Sequence, residues 1–151
     1  MLELARPEDR AGIEILAQQI HRLHVQWRPD IYAPADEMWP QERFDDAVAQ
    51  RQLFVAKRDD SVVGYVLLKK RDYHMVGHVR RNVLVVEEIC VDEDLRNQGV
   101  GTEMMIAVRA IAKAFGCTDL QLGVYPQNNE AIAFYQKCGF RIRSIDMQMK
   151  V

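Results

Sequence analysis

Four residues that could bind a phosphate lie close together in the middle of the chain. Arg96, Gln98, Gly99 and Gly101 form the pattern R-x-x-G-x-G, after an apolar run and before a helical pattern. The glycines allow positive φ and a close approach of backbone to a ligand. A helix that begins here presents free N–H groups and a partial positive charge. The spacing favours a pyrophosphate site, while a tight turn that needs glycine only for packing is the alternative.

Two carboxylates, Glu87 and Glu88, lie on the apolar run just before this corner. Because side chains alternate along a strand, we expect the two to point to opposite faces. A carboxylate that faces a bound ligand can act as a general base, so either Glu87 or Glu88 is a candidate. A solvated or ion-paired strand edge is the alternative for Glu88.

Hydrophobic periodicity predicts the elements that must position these groups. The order is strand, two helices, three strands, helix, strand, helix, strand. The predicted ranges are Leu2 to Arg6, Pro7 to Val25, Gln41 to Arg51, Leu53 to Arg58, Val62 to Tyr73, Val83 to Val91, Gly99 to Phe115, Asp119 to Tyr125, Asn129 to Lys137 and Phe140 to Met149. A strand–helix–strand unit after Val83 implies a parallel crossover, and therefore an α/β fold with a mixed sheet covered on both faces.

Composition restricts the class of protein. The 151 residues are 48% hydrophobic with a net charge of −2, which suits one globular domain, 1–151, and gives no overall field for nucleic acid. No apolar run approaches the length of a membrane span, and the N-terminus is acidic where a signal peptide is basic. Three cysteines without CxxC spacing predict neither a disulfide framework nor a metal site. We therefore expect a cytoplasmic protein.

The chain has four histidines that could act as ligands. His21 and His24 are three residues apart on the first predicted helix, where a metal pair is possible but exposed or capping side chains are more common. His74 and His78 lie in a connection rich in Lys and Arg. This composition predicts either a basic rim for an acidic ligand or a solvated hairpin.

A second motif follows some thirty residues after the corner. It reads N-x-x-A-x-x-F-Y-x-x-x-G-F and is filled by Asn128, Ala131, Phe134, Tyr135, Gly139 and Phe140. Together with R-x-x-G-x-G and the order of elements, it resembles the GNAT superfamily of acetyl-CoA-dependent N-acetyltransferases. The resemblance covers essentially the whole chain. It implies a GNAT fold with six to seven strands, about four helices, and splayed parallel strands where coenzyme A lies.

The resemblance also implies a set of residues for acetyl-CoA. Strand backbone would pair with the pantetheine amides, the corner would hold the pyrophosphate, and Asn128 would touch the pantetheine or brace the splayed strand. The implied cofactor-binding residues are Ile89, Cys90, Val91, Arg96, Asn97, Gln98, Gly99, Val100, Gly101, Thr102, Asn128 and Tyr135.

The implied chemistry is direct attack of a primary amine on the thioester in a ternary complex, without a metal. Tyr135 would protonate the departing thiolate, although it could instead be a core aromatic residue. Trp27 and Tyr32 resemble the segment that lines the acceptor pocket, together with Glu87. Glu87 lies nine residues before Arg96, where some family members have an acidic residue, so the resemblance makes it the first candidate for the base and Glu88 the second, with a water chain as the alternative. By analogy with the family, a homodimer is also expected. A non-catalytic acyl-CoA sensor is the second hypothesis, and a nucleotide-phosphate module is a weaker third.

Overall fold

A computed structural model describes residues 1–151. Five strands form one sheet in the order β1-β2-β3-β4-β5. The strands are β1 (Leu2–Leu4), β2 (Leu53–Arg58), β3 (Ser61–Tyr73), β4 (Arg81–Val91) and β5 (Asp119–Leu122). The first four pair antiparallel, and β4 with β5 is parallel.

Four α-helices cover the sheet: α1 (Arg10–Trp27), α2 (Gln41–Ala49), α3 (Val100–Ala114) and α4 (Asn129–Lys137). Buried side chains form two clusters of 12 residues, one on each face of the sheet. One cluster joins α1 and α2 to the face that carries Tyr65, Leu67 and Cys90. The other joins α3 to the face that carries Val66, Leu68 and Val86. The predicted α/β fold with a mixed sheet is confirmed.

The strand count is lower than the six to seven predicted. The last predicted strand, Phe140 to Met149, is not formed, and residues 141–151 belong to no helix or strand. β5 ends at Leu122 rather than at Tyr125, because its last pair with β4 is Val86 with Leu122 and the two strands separate beyond it. The separation is the splay that the family resemblance implied.

The segment before α2 is held in place by a carboxylate on α1. Glu14 accepts hydrogen bonds from the backbone N–H groups of Met38, at 2.8 Å, and Trp39, at 2.6 Å, and from the amide of Gln18. Burial alone raises the pKa of Glu14, but the hydrogen bonds outweigh it, and the pKa lies below its ordinary value of 4.5. The ionised carboxylate therefore stabilises the folded chain.

We expect Glu14→Gln to lower the free energy of unfolding by about 1–3 kcal/mol at pH 7, since the amide leaves at least one N–H without an acceptor. Because the folded pKa is depressed, the contribution of Glu14 is fully present above pH 4.5 and is lost as the pH falls through the folded value. Urea unfolding at pH 7 and pH 3 measures both effects. Glu8→Gln, at an exposed carboxylate, is the matched control. A gap between wild type and Glu14→Gln that is as large at pH 3 as at pH 7 would contradict this account.

Candidate active site

The corner after β4 presents unpartnered backbone donors. A short 3-10 turn, Glu93–Leu95, leads into Asn97 and Gly99, whose φ values are +61° and +88°. Both values lie in the left-handed region, which glycine adopts without strain. α3 then begins without a side-chain cap, and the N–H groups of Val100, Gly101 and Thr102 have no acceptor within the protein. This is the arrangement by which helix N-termini bind anions.

Arg96 lies beside this corner and is exposed. Its Nε is 3.4 Å from the backbone oxygen of Val91, which directs the guanidinium back along the end of β4. The corner is tied to α1 as well, because Gln19 donates to Asp92 at 3.2 Å and accepts from the N–H of Glu93 at 3.0 Å. Gln19 thus orients the turn that precedes the uncapped start of α3.

The backbone of β4 beyond the last pair with β5 lies along the gap between the strands. Ile89, Cys90 and Val91 therefore keep their β5-side backbone groups free of a strand partner. The Cys90 side chain is buried, and its Sγ contacts the backbone oxygen of Leu16 at 3.3 Å. Burial raises the pKa of the Cys90 thiol to about 12, so the side chain stays protonated at neutral pH and is a packing residue.

Tyr135 lies on α4, and its side chain packs against the same core cluster as Ile89 and Val91 of β4. Its ring packs against Phe134 and Phe140, with centroids 5.3 Å and 5.7 Å away. Its hydroxyl has no hydrogen-bond partner in the protein. Burial raises the pKa of Tyr135 to about 12, and the neighbouring thiols of Cys138 and Cys90 add to the rise. The phenol is therefore a protonated donor within electrostatic reach of β4.

Asn128 caps α4. Its side-chain oxygen accepts from the N–H of Ala131 at 3.2 Å, and its own N–H donates to the backbone oxygen of Tyr125 at 2.9 Å. These two bonds brace the connection between β5 and the helix that carries Tyr135.

A β-bulge changes the expected directions of Glu87 and Glu88. Leu67 pairs with Glu88 and Leu68 pairs with Val86, so Glu87 is an extra residue on β4. Glu87 accepts a hydrogen bond from Arg71 at 2.6 Å. Arg71 is four residues after Leu67 on β3, so its side chain lies on the same face of the sheet as that of Leu67, which faces α1. Both glutamates therefore lie on the α1 side, and the expected opposite directions are wrong at this point of the strand.

The two glutamates differ in their surroundings. The two side chains are similarly accessible, Glu87 at 28% and Glu88 at 33%, and the Glu87 partner Arg71 is exposed. Glu88 has two partners: it accepts from the Tyr65 hydroxyl at 2.9 Å and forms an ion pair with Arg43 of α2. The Arg43 guanidinium stacks 3.7 Å above the ring centre of Trp39, in the segment that Glu14 holds. Glu88 is thus the carboxylate that the fold fixes in position.

An aromatic cluster lies at the end of α1, composed of His24, Trp27, Tyr32 and Tyr125. The hydroxyls of Tyr32 and Tyr125 are 2.7 Å apart, which joins the loop after α1 to the chain after β5. The His24 ring lies 5.1 Å from Tyr32 and 5.7 Å from Tyr125, centre to centre. Trp27 and Tyr32, selected from the sequence, are brought together here, whereas His24 and Tyr125 were missed as members of this cluster.

The histidines of α1 are not exposed. His21 is 8% accessible and its Nε2 is 2.7 Å from the backbone oxygen of Ala33. Burial, with the nearby charge of His21, lowers the pKa of His24, although the charge of Glu88 acts in the opposite direction. His24 is therefore neutral at pH 7 and close enough to Glu88 to feel its charge. No group of three or more potential ligands is arranged to hold a metal.

A model of the acetyltransferase (GNAT) family matches residues 18–140, most of the chain. The chain belongs to the GNAT acetyltransferase family. No helix of this GNAT domain combines the length and hydropathy that a membrane span requires.

Curated GNAT relatives carry the names of N-acetyltransferases. The chain is 32% identical over 133 residues to the L-amino acid N-acetyltransferase AaaT of Escherichia coli, covering 83% of this chain and 76% of AaaT. It is 29% identical to the peptidyl-lysine N-acetyltransferase YjaB of Salmonella typhimurium, covering 94% and 85%. It is also 29% identical to the uncharacterized N-acetyltransferase YvbK of Bacillus subtilis, covering 68% of this chain and only 61% of YvbK.

Solved structures share the GNAT fold. A mutant of the BH1408 protein from Bacillus halodurans superposes with a TM-score of 0.95 at 24% identity, covering 100% of this chain and 99% of that one. The aminoglycoside N-acetyltransferase AAC(6')-Iy, solved in complex with CoA, superposes with a TM-score of 0.72 at 17% identity, covering 100% of both chains.

The residues at the corner fit coenzyme A. A Cβ built on Gly99 would meet nothing within 4 Å, so the positive φ rather than crowding by protein is what requires glycine there. Free N–H groups with Arg96 beside them suit a pyrophosphate, and the unpaired backbone of Ile89 to Val91 suits the amides of a pantetheine arm.

Proposed function

We propose that this protein is an N-acetyltransferase that moves the acetyl group of acetyl-CoA to a primary amine by direct attack in a ternary complex. One observation carries the proposal: where β4 and β5 stop pairing, the uncapped start of α3 and the Tyr135 side chain pack with Ile89 and Val91 of β4 in one cluster. A phosphate site, an extended slot and a proton donor are the three features that the thioester substrate needs.

The role of each group follows from its place. Free N–H groups of α3 and Arg96 bind the pyrophosphate, and Ile89 to Val91 align the thioester along β4. A backbone N–H near Cys90 stabilises the negative charge that develops on the thioester carbonyl oxygen during attack. Tyr135 then donates its proton to the departing thiolate. Trp27 and Tyr32, with His24 and Tyr125, form an apolar wall for the acceptor.

The amine reaches the thioester from the α1 side, where both glutamates lie. The sequence favoured Glu87 as the base, but the contacts favour Glu88, because Tyr65 and Arg43 hold it in place and its charge acts on His24 in the aromatic cluster. Glu88 accepts the amine proton directly or through water.

We expect Glu88→Gln to lower kcat/KM by about 10- to 100-fold and to flatten the acidic limb of the pH–rate profile, since the amide cannot take up a proton. Glu87→Gln is the matched control, with the same change one residue away, and should alter kcat/KM less than about threefold if it acts only at the surface. Full pH profiles of both variants decide the assignment. A larger loss of kcat/KM in Glu87→Gln than in Glu88→Gln would make Glu87 the general base. Unchanged pH profiles in both variants would make water the base.

The function itself is tested by thiol release from acetyl-CoA with a panel of amines. The panel contains free amino acids, a lysine peptide and an aminoglycoside, because relatives and neighbours are named for each of these substrates. Turnover on at least one class is expected. Stabilisation by acetyl-CoA without turnover on any class would favour the alternative, an acyl-CoA sensor, and absence of both effects would contradict either role.

We further propose that residues 1–151 act as one GNAT domain, in the cytoplasm and as a homodimer. All three cysteines are free thiols, which suits a reducing compartment.

A further inference from the structure

The C-terminal segment, residues 141–151, is held to the rest of the chain by a side chain and not by its backbone. None of the 82 backbone–backbone hydrogen bonds involves these residues, and all of them are exposed. The contact that holds the segment joins Arg28 to Gln148, because the guanidinium Nη2 donates to the side-chain oxygen at 2.7 Å. With so few contacts, the segment is free to move on its attachment at Phe140.

Arg28 places this contact at the rim of the aromatic cluster that forms the proposed acceptor wall. It directly follows α1, and it donates two hydrogen bonds to Asp30, at 2.9 Å and 2.8 Å. These bonds raise the pKa of Arg28, and the nearby phenols of Tyr125 and Tyr32 add to the rise. Since the hydroxyls of Tyr32 and Tyr125 bond to each other within the cluster, the C-terminal segment lies beside the acceptor wall.

Lys150 carries a primary amine to the same place, two residues after Gln148. The hydrogen bonds from Arg28 lower the pKa of Asp30 to about 2, and the positive charges of Arg28 and Lys150 add to the lowering. The Lys150 amine is therefore within electrostatic reach of Asp30. Its residue is exposed, and it forms no ion pair with any carboxylate. No partner has to be broken before this amine can move.

The free length of the segment allows the amine to enter the site. The last backbone hydrogen bond before the segment is that of the Phe140 N–H, which donates to the backbone oxygen of Tyr135. The chain from Phe140 to Lys150 spans up to roughly 35 Å when fully extended. The radius of gyration of a domain of this size is only about 15 Å. A flexible tether also keeps the amine at an effective concentration on the order of millimolar.

We propose that the amine of Lys150 is an acceptor for this protein's own acetyl transfer, so that each chain acetylates itself near its C-terminus. The proposed reaction takes a primary amine, and the segment brings a primary amine of the same chain to the rim of the acceptor wall. This inference rests on the proposed function, because the acetyl donor and the site are the same.

The transfer uses the groups already assigned to the reaction. The neutral Lys150 nitrogen attacks the carbonyl carbon of the thioester, and the C–N bond forms as the C–S bond breaks. The proton that the nitrogen loses passes to Glu88 or to water, and Tyr135 protonates the departing sulfur. The products are an N-acetylated Lys150 side chain and free CoA.

The test incubates the full chain with saturating acetyl-CoA and no other amine, and locates acetyl groups by intact-mass and peptide mass spectrometry. Acetylation of Lys150 is expected, with a rate constant that is unchanged across a series of protein concentrations, because amine and site belong to one chain. Lys113 is the comparison within the same sample. It is an exposed lysine at the end of α3 that lies away from the corner, and it should react at least about tenfold more slowly.

Two variants and a competitor separate transfer in the site from reaction in solution. Lys150→Arg keeps the positive charge near Asp30 and should remove the acetylated C-terminal peptide. Lys113→Arg is the matched control and should leave the rate at Lys150 unchanged. An excess of CoA, which occupies the site without an acetyl group, should suppress acetylation of Lys150 and leave that of Lys113 as it was.

Three results would each overturn the inference: acetylation of Lys150 no faster than that of Lys113, a rate constant that rises with protein concentration, or a rate that excess CoA does not change. The amine panel distinguishes this failure from a failure of the proposed function. Turnover on the panel with Lys150 unmodified overturns self-acetylation alone. Absence of transfer both to the panel and to Lys150 overturns the two together.

Discussion

Tyr135→Phe should lower kcat by about 100- to 1,000-fold while leaving the affinity for CoA within about twofold, since general acid catalysis is typically worth 10²–10⁴. The change removes only the hydroxyl. The ring keeps its contacts with Phe134 and Phe140, so α4 and the strand gap should be undisturbed. Steady-state kinetics and calorimetric titration with CoA give the two quantities.

The raised pKa of Tyr135 leads to a second, independent prediction. At about 12 the phenol remains protonated throughout the usual assay range, so wild type should show no alkaline loss of kcat from this group below about pH 10. Tyr73→Phe, at a tyrosine on the β3–β4 hairpin, is the control for removal of a hydroxyl elsewhere. Unchanged turnover in Tyr135→Phe would remove Tyr135 from the acid role.

Gly99→Ala should raise the KM for acetyl-CoA by about tenfold or more, since a methyl group at the corner would obstruct the close approach of the pyrophosphate and a loss of about 1.4 kcal/mol in binding is a factor of ten. Gly99 has φ +88° and immediately precedes the free N–H groups of α3. The methyl group itself meets no protein atom within 4 Å, so the loss of affinity comes from the lost close approach of the pyrophosphate, and backbone strain lowers the stability. KM for acetyl-CoA and the affinity for CoA measure it.

Gly77→Ala provides a closely matched control for this prediction. Gly77 has φ +79° and also meets nothing within 4 Å, but it lies in the connection between β3 and β4, away from the corner. Both variants should lose comparable stability by thermal unfolding, and only Gly99→Ala should lose affinity for CoA. Equal KM values for the two would show that the corner does not hold the pyrophosphate.

Local patterns were sufficient to predict most of the elements. α3 was predicted within one residue at each end, because a glycine corner and the helical stripe from Val100 mark it clearly. The last strand was wrong for a physical reason. Residues 141–151 have the alternation of a strand, but a strand also requires a neighbour for its backbone, and the single chain provides none.

The site was predicted unevenly for similar reasons. The corner and Tyr135 were selected as candidates from the sequence because they lie in short motifs. The directions of the Glu87 and Glu88 side chains were not predicted correctly, because the bulge opposite Leu67 and Leu68 depends on how two strands pair. Tyr125 was missed because its only signal was an aromatic residue near a predicted turn, and its hydrogen bond is to a residue 93 positions away.

The sequence by itself determined the fold class and the family resemblance, and it marked the glycine corner as a candidate phosphate site, because each depends on residues close together in the chain. The tertiary structure decided which carboxylate is held by Arg43 and Tyr65, which rings surround His24, and which edge of the sheet stays open. These features arise from contacts between distant segments. These contacts cannot be predicted from local periodicity, because each depends on the relative placement of elements that form independently.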